Sequence, residues 1–258
     1  MSLLTLKPYQ GYIFDLDGTV YLGDRVIPGA SEVIQRLRER GSRIVFVSNK
    51  PLESRAAYAK KLTRLGIPTD ARDVINSSLA MVEYLQQEKI SVPVFAIGEQ
   101  PLLDELTDAG YEISEEPEKI GLVIASFDRT FNYHKLNVAF QALKRGAMLF
   151  ATNADATCPV EGGEIPDAGA VIGALKGCAH RDVSFIAGKP SGWMIQLALQ
   201  MLNCPPANCL LTGDRLETDI QMGMSAGMDT ALVLSGVSTR KTLENSKIKP
   251  TYVLESIA

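Results

Sequence analysis

Short runs that are apolar on both faces alternate along the chain with stretches whose apolar positions recur every three or four residues. GYIF (11–14), RIVFV (43–47), VSFIA (183–187), CLLT (209–212) and TALVL (230–234) show no polar alternation and are rich in β-branched and other apolar residues. Runs of that kind suit strands of a parallel sheet covered on both sides. ASEVIQRLRERG (30–41) and SRAAYAKKLTRLG (54–66) place their apolar side chains at helical spacing and stop on glycine. They read as amphipathic helices with a C′ glycine. The alternation predicts a doubly wound α/β fold.

The middle of the chain repeats the pattern independently. VPVFAIG, PLLDELTDAG, GLVIASF, YHKLNVAFQALKRG and AMLFATN follow one another between residues 79 and 182. They fit either a second α/β layer or an extension of one large sheet. No Pro/Gly/Ser-rich linker, low-complexity tract or internal repeat decides between the two.

Composition narrows the function classes. The chain has 258 residues, of which 46% are hydrophobic and 22% charged, enough for one large domain or two modest ones with a substantial core. A net charge of -4 without a dense basic cluster argues against nucleic acid and anionic membranes as partners, and leaves small molecules. Cys158, Cys178, Cys204 and Cys209 have no zinc-like or thioredoxin-like spacing, so reduced thiols in the cytoplasm are expected. MSLLTLKPYQ interrupts any secretory apolar run with Lys7 and Pro8, and no run approaches the ~20 residues of a membrane span.

Candidate chemistry gathers where apolar runs end. FDLDGT sets Asp15 and Asp17 two residues apart, with Gly18 free to turn the backbone immediately after. Carboxylates so close repel unless a cation or a shared proton intervenes, although a solvated turn closing a strand has the same letters. VFVSNK offers the Ser48 hydroxyl and backbone N–H groups to an anion, or a plain helix cap. FIAGKPSGW brings Lys189, and LLTGDRLETD brings Asp214 and Asp219. In open α/β sheets ligands bind beyond the carboxyl ends of strands. Four such turns together describe a hard-cation site of carboxylates beside a lysine and a hydroxyl.

FDLDGTV, FVSNK, GKPS and GDRLETD resemble, in order, the four motifs of the haloacid dehalogenase superfamily. The long insert between VSNK and GKPS resembles the cap of its NagD-like, p-nitrophenyl phosphatase subfamily, and GIPTDARDVINSS, IGEQPLLDEL and LNVAFQALKRGA resemble sugar phosphatases within it. The resemblance implies a Rossmann-like core at 1–78 and 183–258 and a C2-type α/β cap at 79–182. It implies a magnesium-dependent phosphatase of small phosphorylated metabolites, with Asp15 as nucleophile and Asp17 as general acid and base. Asp15, the Asp17 carbonyl, Asp214 and Asp219 would hold the metal, while Ser48, the Asn49 N–H and Lys189 cradle the phosphoryl group. Thr152, Asn153, Asp155 and Cys158, in the polar loop of the insert, are the expected substrate-binding residues. Pyridoxal phosphate phosphatases carry histidine where this chain has Cys158, which weakens that substrate. Other phosphate monoesters, a phosphotransferase or mutase, and a non-enzymatic phospho-receiver stay open, as does a homodimer.

Overall fold

The computed structural model describes residues 2–160 and 162–258. Positions 1 and 161 lie outside the described residues. The chain divides into two compact units. One comprises the chain up to Ser48, Arg55–Ile75 and Lys189–Ala258; the other comprises Asn49–Ser54 and Asn76–Gly188.

The first unit is built on a six-stranded sheet, in the order Tyr252–Leu254, Asp229–Val233, Cys209–Gly213, Gly11–Asp15, Arg43–Ser48 and Val74–Asn76. The Gly11–Asp15 strand runs parallel to both of its neighbours, with Phe14 opposite Thr212 and Asp15 opposite Val47. Winding proceeds outward one way from Gly11–Asp15 and the other way from Cys209–Gly213. The gap between those two strands is therefore the topological switch point, where carboxyl ends diverge and leave a crevice. Tyr12, Phe14 and Phe46 are buried with Val33, Ile34 and Leu37 from the amphipathic helix Ala30–Glu39. This is the doubly wound core that the apolar runs predict, Rossmann-like as the resemblance implies.

The second unit has its own four-stranded sheet, ordered Phe185–Ile186, Met148–Ala151, Leu122–Ala125 and Val94–Ile97, with parallel pairing throughout. Ile97, Val123 and Leu149 pack there with Val138, Ala142 and Leu143 of the helix Tyr133–Lys144 and with Val171 and Leu175 of Ala168–Ala179. An antiparallel hairpin, Thr157–Val160 with Gly163–Pro166, follows the sheet's third strand in sequence.

VSFIA departs from the expectation that it belongs to the main sheet. Phe185 and Ile186 pair with Phe150 and Ala151 at the edge of the four-stranded sheet. Phe185 stacks on Tyr84 and meets Phe150 edge-on at 5.5 Å between ring centroids, so its aromatic partners lie in the second unit. Periodicity identifies a strand but not the sheet that receives it. The expected limits at 78/79 and 182/183 accordingly fall inside the helix Ser77–Gln87 and ahead of Phe185–Ile186, whereas the units part at 75/76 and 188/189. Among the described residues, no helix is long and apolar enough to cross a membrane.

Candidate active site

Asp15 is the last residue of its strand, and Asp214 follows Gly213 at the end of the neighbouring strand across the switch point. Asp219 comes from the π-helical turn Leu216–Ile220 that leaves the second of those strands. Its carboxylate accepts from the Arg215 N–H at 3.1 Å, which folds the turn back on itself. Carboxylate oxygens of Asp15, Asp214 and Asp219 lie within 4.8 Å of one another, and all three residues are buried.

Lys189 supplies the opposing charge. Its Nζ donates to Asp15 Oδ1 and, at 2.7 Å, to Asp219 Oδ1, although only 5% of the residue is exposed. The Thr19 hydroxyl donates to the other Asp15 oxygen at 3.3 Å. Burial pushes Asp15 up to about 8, against the pull of Lys189 and with the push of Asp219 and Asp214. Burial likewise carries Asp214 up to about 6, reinforced by Asp219 and opposed by the Val237 N–H, Lys189 and Arg215. For Lys189, burial favours the neutral amine, but the charges of Asp15 and Asp219 reverse that and hold it above the ordinary lysine value. The ammonium therefore stays charged.

Three buried carboxylates face one lysine, leaving a deficit of two positive charges when all are ionised. Hard carboxylate oxygens in that number and spacing fit a divalent cation that takes oxygen ligands. Protonation of Asp15 or Asp214 is the alternative relief, and the upward displacement of both carboxyls expresses that tension.

Asp17 is half-buried at the start of the turn, where the Gly18 N–H donates to the Tyr21 carbonyl at 2.7 Å. Ser48 ends its strand buried, with its hydroxyl 3.5 Å from Tyr58 Oη. The remaining expected site residues come together in the second unit. Asn49 donates its side-chain amide to Asp155 Oδ2 at 2.9 Å, and Asn153 donates to the same oxygen at 3.1 Å and to Asp167 at 3.0 Å. Thr152 bonds to Asn153 Oδ1 and shares a 2.7 Å contact with the Ser126 hydroxyl. Thr152, Asn153 and Cys158 are buried, and Asp155 is half-buried.

Two contributors escape sequence reading. Thr19 sits four residues after Asp15 and is fully buried against it. Ser235–Ser238, beyond the strand Asp229–Val233, touches both Gly18 and Asp214: the Ser235 hydroxyl donates to Gly18 O at 2.7 Å and the Val237 N–H to Asp214 Oδ2 at 2.6 Å. Thr19 was signalled by its place in DLDGT; LSGVS carries no charge and gives no signal.

Comparison with known proteins agrees with this geometry. Residues 12–112 match the family described as haloacid dehalogenase-like hydrolase, and 186–258 match the HAD-hydrolase-like family. The chain is 40% identical over 247 residues to the sugar-phosphatase AraL of Bacillus subtilis, covering 96% of this chain and 90% of that protein. It is 32% identical over 252 residues to the 5'-nucleotidase YutF of the same organism, covering 98% and 97%. The structure of a p-nitrophenyl phosphatase from Archaeoglobus fulgidus superposes with a TM-score of 0.91 at 33% identity, covering 96% and 97%. The chain belongs to the haloacid dehalogenase-like hydrolases, in their NagD-like, p-nitrophenyl phosphatase branch with an inserted C2-type α/β cap. It is an enzyme of the phosphatase class.

Proposed function

We propose that the protein is a magnesium-dependent phosphatase of small phosphorylated metabolites, sugar phosphates foremost, working through an aspartyl phosphate on Asp15. The observation that carries the reading is the setting of Asp15 at the switch point, bonded to Lys189 and Thr19 with Asp214 and Asp219 beside it. A carboxylate so held is presented in a fixed orientation, as a nucleophile requires.

In the first half of the reaction an Asp15 oxygen bonds to phosphorus as the ester P–O bond breaks, and Asp17 gives its proton to the departing alcohol oxygen. In the second half water attacks the same phosphorus, Asp17 takes the water's proton, and the bond to Asp15 breaks to release phosphate. Ser48, the Asn49 N–H and Lys189 hold the phosphoryl oxygens during both transfers, which need positioning and charge neutralisation above all. Asp15, the Asp17 carbonyl, Asp214 and, through water, Asp219 would hold magnesium, which when bound neutralises the carboxylates and the transferring phosphoryl group.

Preference for sugar phosphates is supported by the 40% identical relative, named for that activity. We assign ester selection to Thr152, Asn153 and Cys158 of the polar loop, and to Asp155, which accepts from Asn49, a part in phosphoryl binding. Because Thr152, Asn153 and Cys158 are buried, they act by fixing the shape of the loop. The test is a panel of pentose and hexose phosphates, phosphoglycolate, nucleoside monophosphates, pyridoxal phosphate and p-nitrophenyl phosphate, each with and without magnesium. Highest kcat/KM on sugar phosphates supports the reading. A strong preference for any other member overturns the substrate class but not the chemistry, and transfer to an added alcohol in place of water would make the enzyme a phosphotransferase.

A further inference from the structure

Both peptide planes flanking Gly18 are held by named bonds. Its N–H donates to Tyr21 O at 2.7 Å, and N–H and C=O of a trans peptide point oppositely, so the Asp17 carbonyl is aimed away from Tyr21. Its own carbonyl accepts from the Ser235 hydroxyl at 2.7 Å. Gly18 has φ +88°, which residues with a Cβ rarely adopt, and a Cβ there would collide with the Asp214 carboxylate and lie 3.1 Å from Gly236 Cα. The turn after Asp17 is thus pressed against both Asp214 and the 235–238 segment.

That segment also grips Asp214 directly. The Val237 N–H donates to Oδ2 at 2.6 Å and the Ser238 N–H to the Asp214 carbonyl at 3.0 Å, fixing both the side chain and the backbone. Gly236 lies between these bonds; a Cβ there would come within 2.7 Å of Asp214 Cβ and overlap the carboxylate oxygen Oδ2. One short uncharged segment therefore connects two groups assigned to the cation, although it reaches neither Asp15 nor Lys189 by any of these bonds.

We infer that Ser235 is a positioning residue of the cation site: by holding the Gly18–Thr19 peptide it backs the adjoining Asp17–Gly18 peptide, whose carbonyl is assigned to the cation, while Val237 on the same segment sets the rotation of the Asp214 carboxylate. The inference rests on the reading that Asp15, Asp214 and Asp219 bind a divalent cation. Groups that orient metal ligands without touching the metal are commonly worth about 10–100-fold in affinity.

The test titrates magnesium into the metal-free protein by calorimetry, and manganese by electron paramagnetic resonance, for the wild type, Ser235→Ala, Ser235→Thr and Ser235→Cys. Ser235→Ala should bind about tenfold more weakly. Ser235→Thr, which keeps the hydroxyl, should recover most of the affinity, and Ser235→Cys, a weak donor of similar size, should fall between. At saturating magnesium Ser235→Ala should regain most of its kcat, with KM for p-nitrophenyl phosphate nearly unchanged. A merely structural staple would lower the unfolding temperature of Ser235→Ala while leaving its affinity intact. Equal affinity in wild type and Ser235→Ala, or failure of Ser235→Thr to recover, overturns the role of Ser235 while the cation reading stands. A wild type that takes up neither ion overturns the cation reading itself, and this inference with it.

Discussion

Lys189 Nζ stands 2.7 Å from Asp219 Oδ1 and donates as well to Asp15, so that one buried ammonium joins the proposed nucleophile to a proposed metal-binding carboxylate. Replacing it leaves volume to fill and charge to neutralise, and Lys189→Met addresses only the first. Turnover of p-nitrophenyl phosphate should fall by about 10²–10³-fold, as when one preorganised donor to developing charge is removed. Without metal the variant should also unfold more easily, because removing one partner of a buried ion pair typically costs about 3–5 kcal/mol, lessened here by protonation of Asp15. Steady-state kinetics and urea unfolding measure the two effects. Wild-type turnover in Lys189→Met would remove the lysine from the chemistry.

Asp15 and Asp17 separate by leaving group. Asp15→Asn should abolish turnover of every ester, because an amide cannot form the acyl phosphate. Asp17→Asn should instead slow sugar phosphates far more than p-nitrophenyl phosphate, whose leaving phenolate needs little protonation. The ratio of kcat/KM between the two esters is the readout, and equal losses would deny Asp17 its proton-donor role.

Metal removal should be visible in stability as well as in rate. EDTA should abolish activity and magnesium restore it, whereas calcium, with its larger and looser coordination shell, should not. In the metal-free protein Asp15 and Asp214 sit at about 8 and about 6 against an ordinary value of 3.8, so the folded state holds more protons than the unfolded state between those limits. By linkage, the contribution of these two groups to stability is fully present below the ordinary value and is lost as pH rises through 6 and 8. Magnesium binds the ionised carboxylates and should flatten that decline, raising the unfolding temperature more at pH 8.5 than at pH 5. Equal stabilisation at both values would separate the cation from these aspartates.

The buried charged cluster was legible because its members break a rule. Asp15, Lys189 and Asp214 are charged residues set at or just after apolar runs, where burial has to be compensated, and each can be picked out one at a time. Ser235 could not be found that way, since its contribution is a hydroxyl on a backbone carbonyl over two hundred residues away. VSFIA failed for a related reason. Its apolar pattern specifies a strand, but its pairing with Phe150 and Ala151 and the stacking of Phe185 on Tyr84 place it in the second unit's sheet. The polar loop at Thr152–Asp155 was visible as polarity, yet nothing in its letters shows that Asn153 spends its amide on Asp155 and Asp167.

That last network divides two residues of one loop. Asp155 receives the Asn49 amide at 2.9 Å, and Asn49 follows Ser48 in the segment assigned to phosphoryl oxygens, a group common to every substrate. Losing the Asp155 carboxylate should therefore lower kcat/KM for all esters by a similar factor, and Asn49→Ala should add little to Asp155→Ala, since the two act through one bond. Asn153 donates to the same Asp155 oxygen and also to Asp167, the residue whose carboxylate accepts the Ala168 N–H at the start of the helix Ala168–Ala179. Asn153→Ala loosens the loop against that helix, so it should change the ranking of sugar phosphates and leave magnesium dependence and p-nitrophenyl phosphate turnover largely intact. Kinetics of the four variants, including the Asn49–Asp155 double, across the ester panel decide the matter. Uniform losses in Asn153→Ala would place it with Asp155 in the phosphoryl machinery, and additive losses in the double variant would break the proposed link between Asp155 and Asn49.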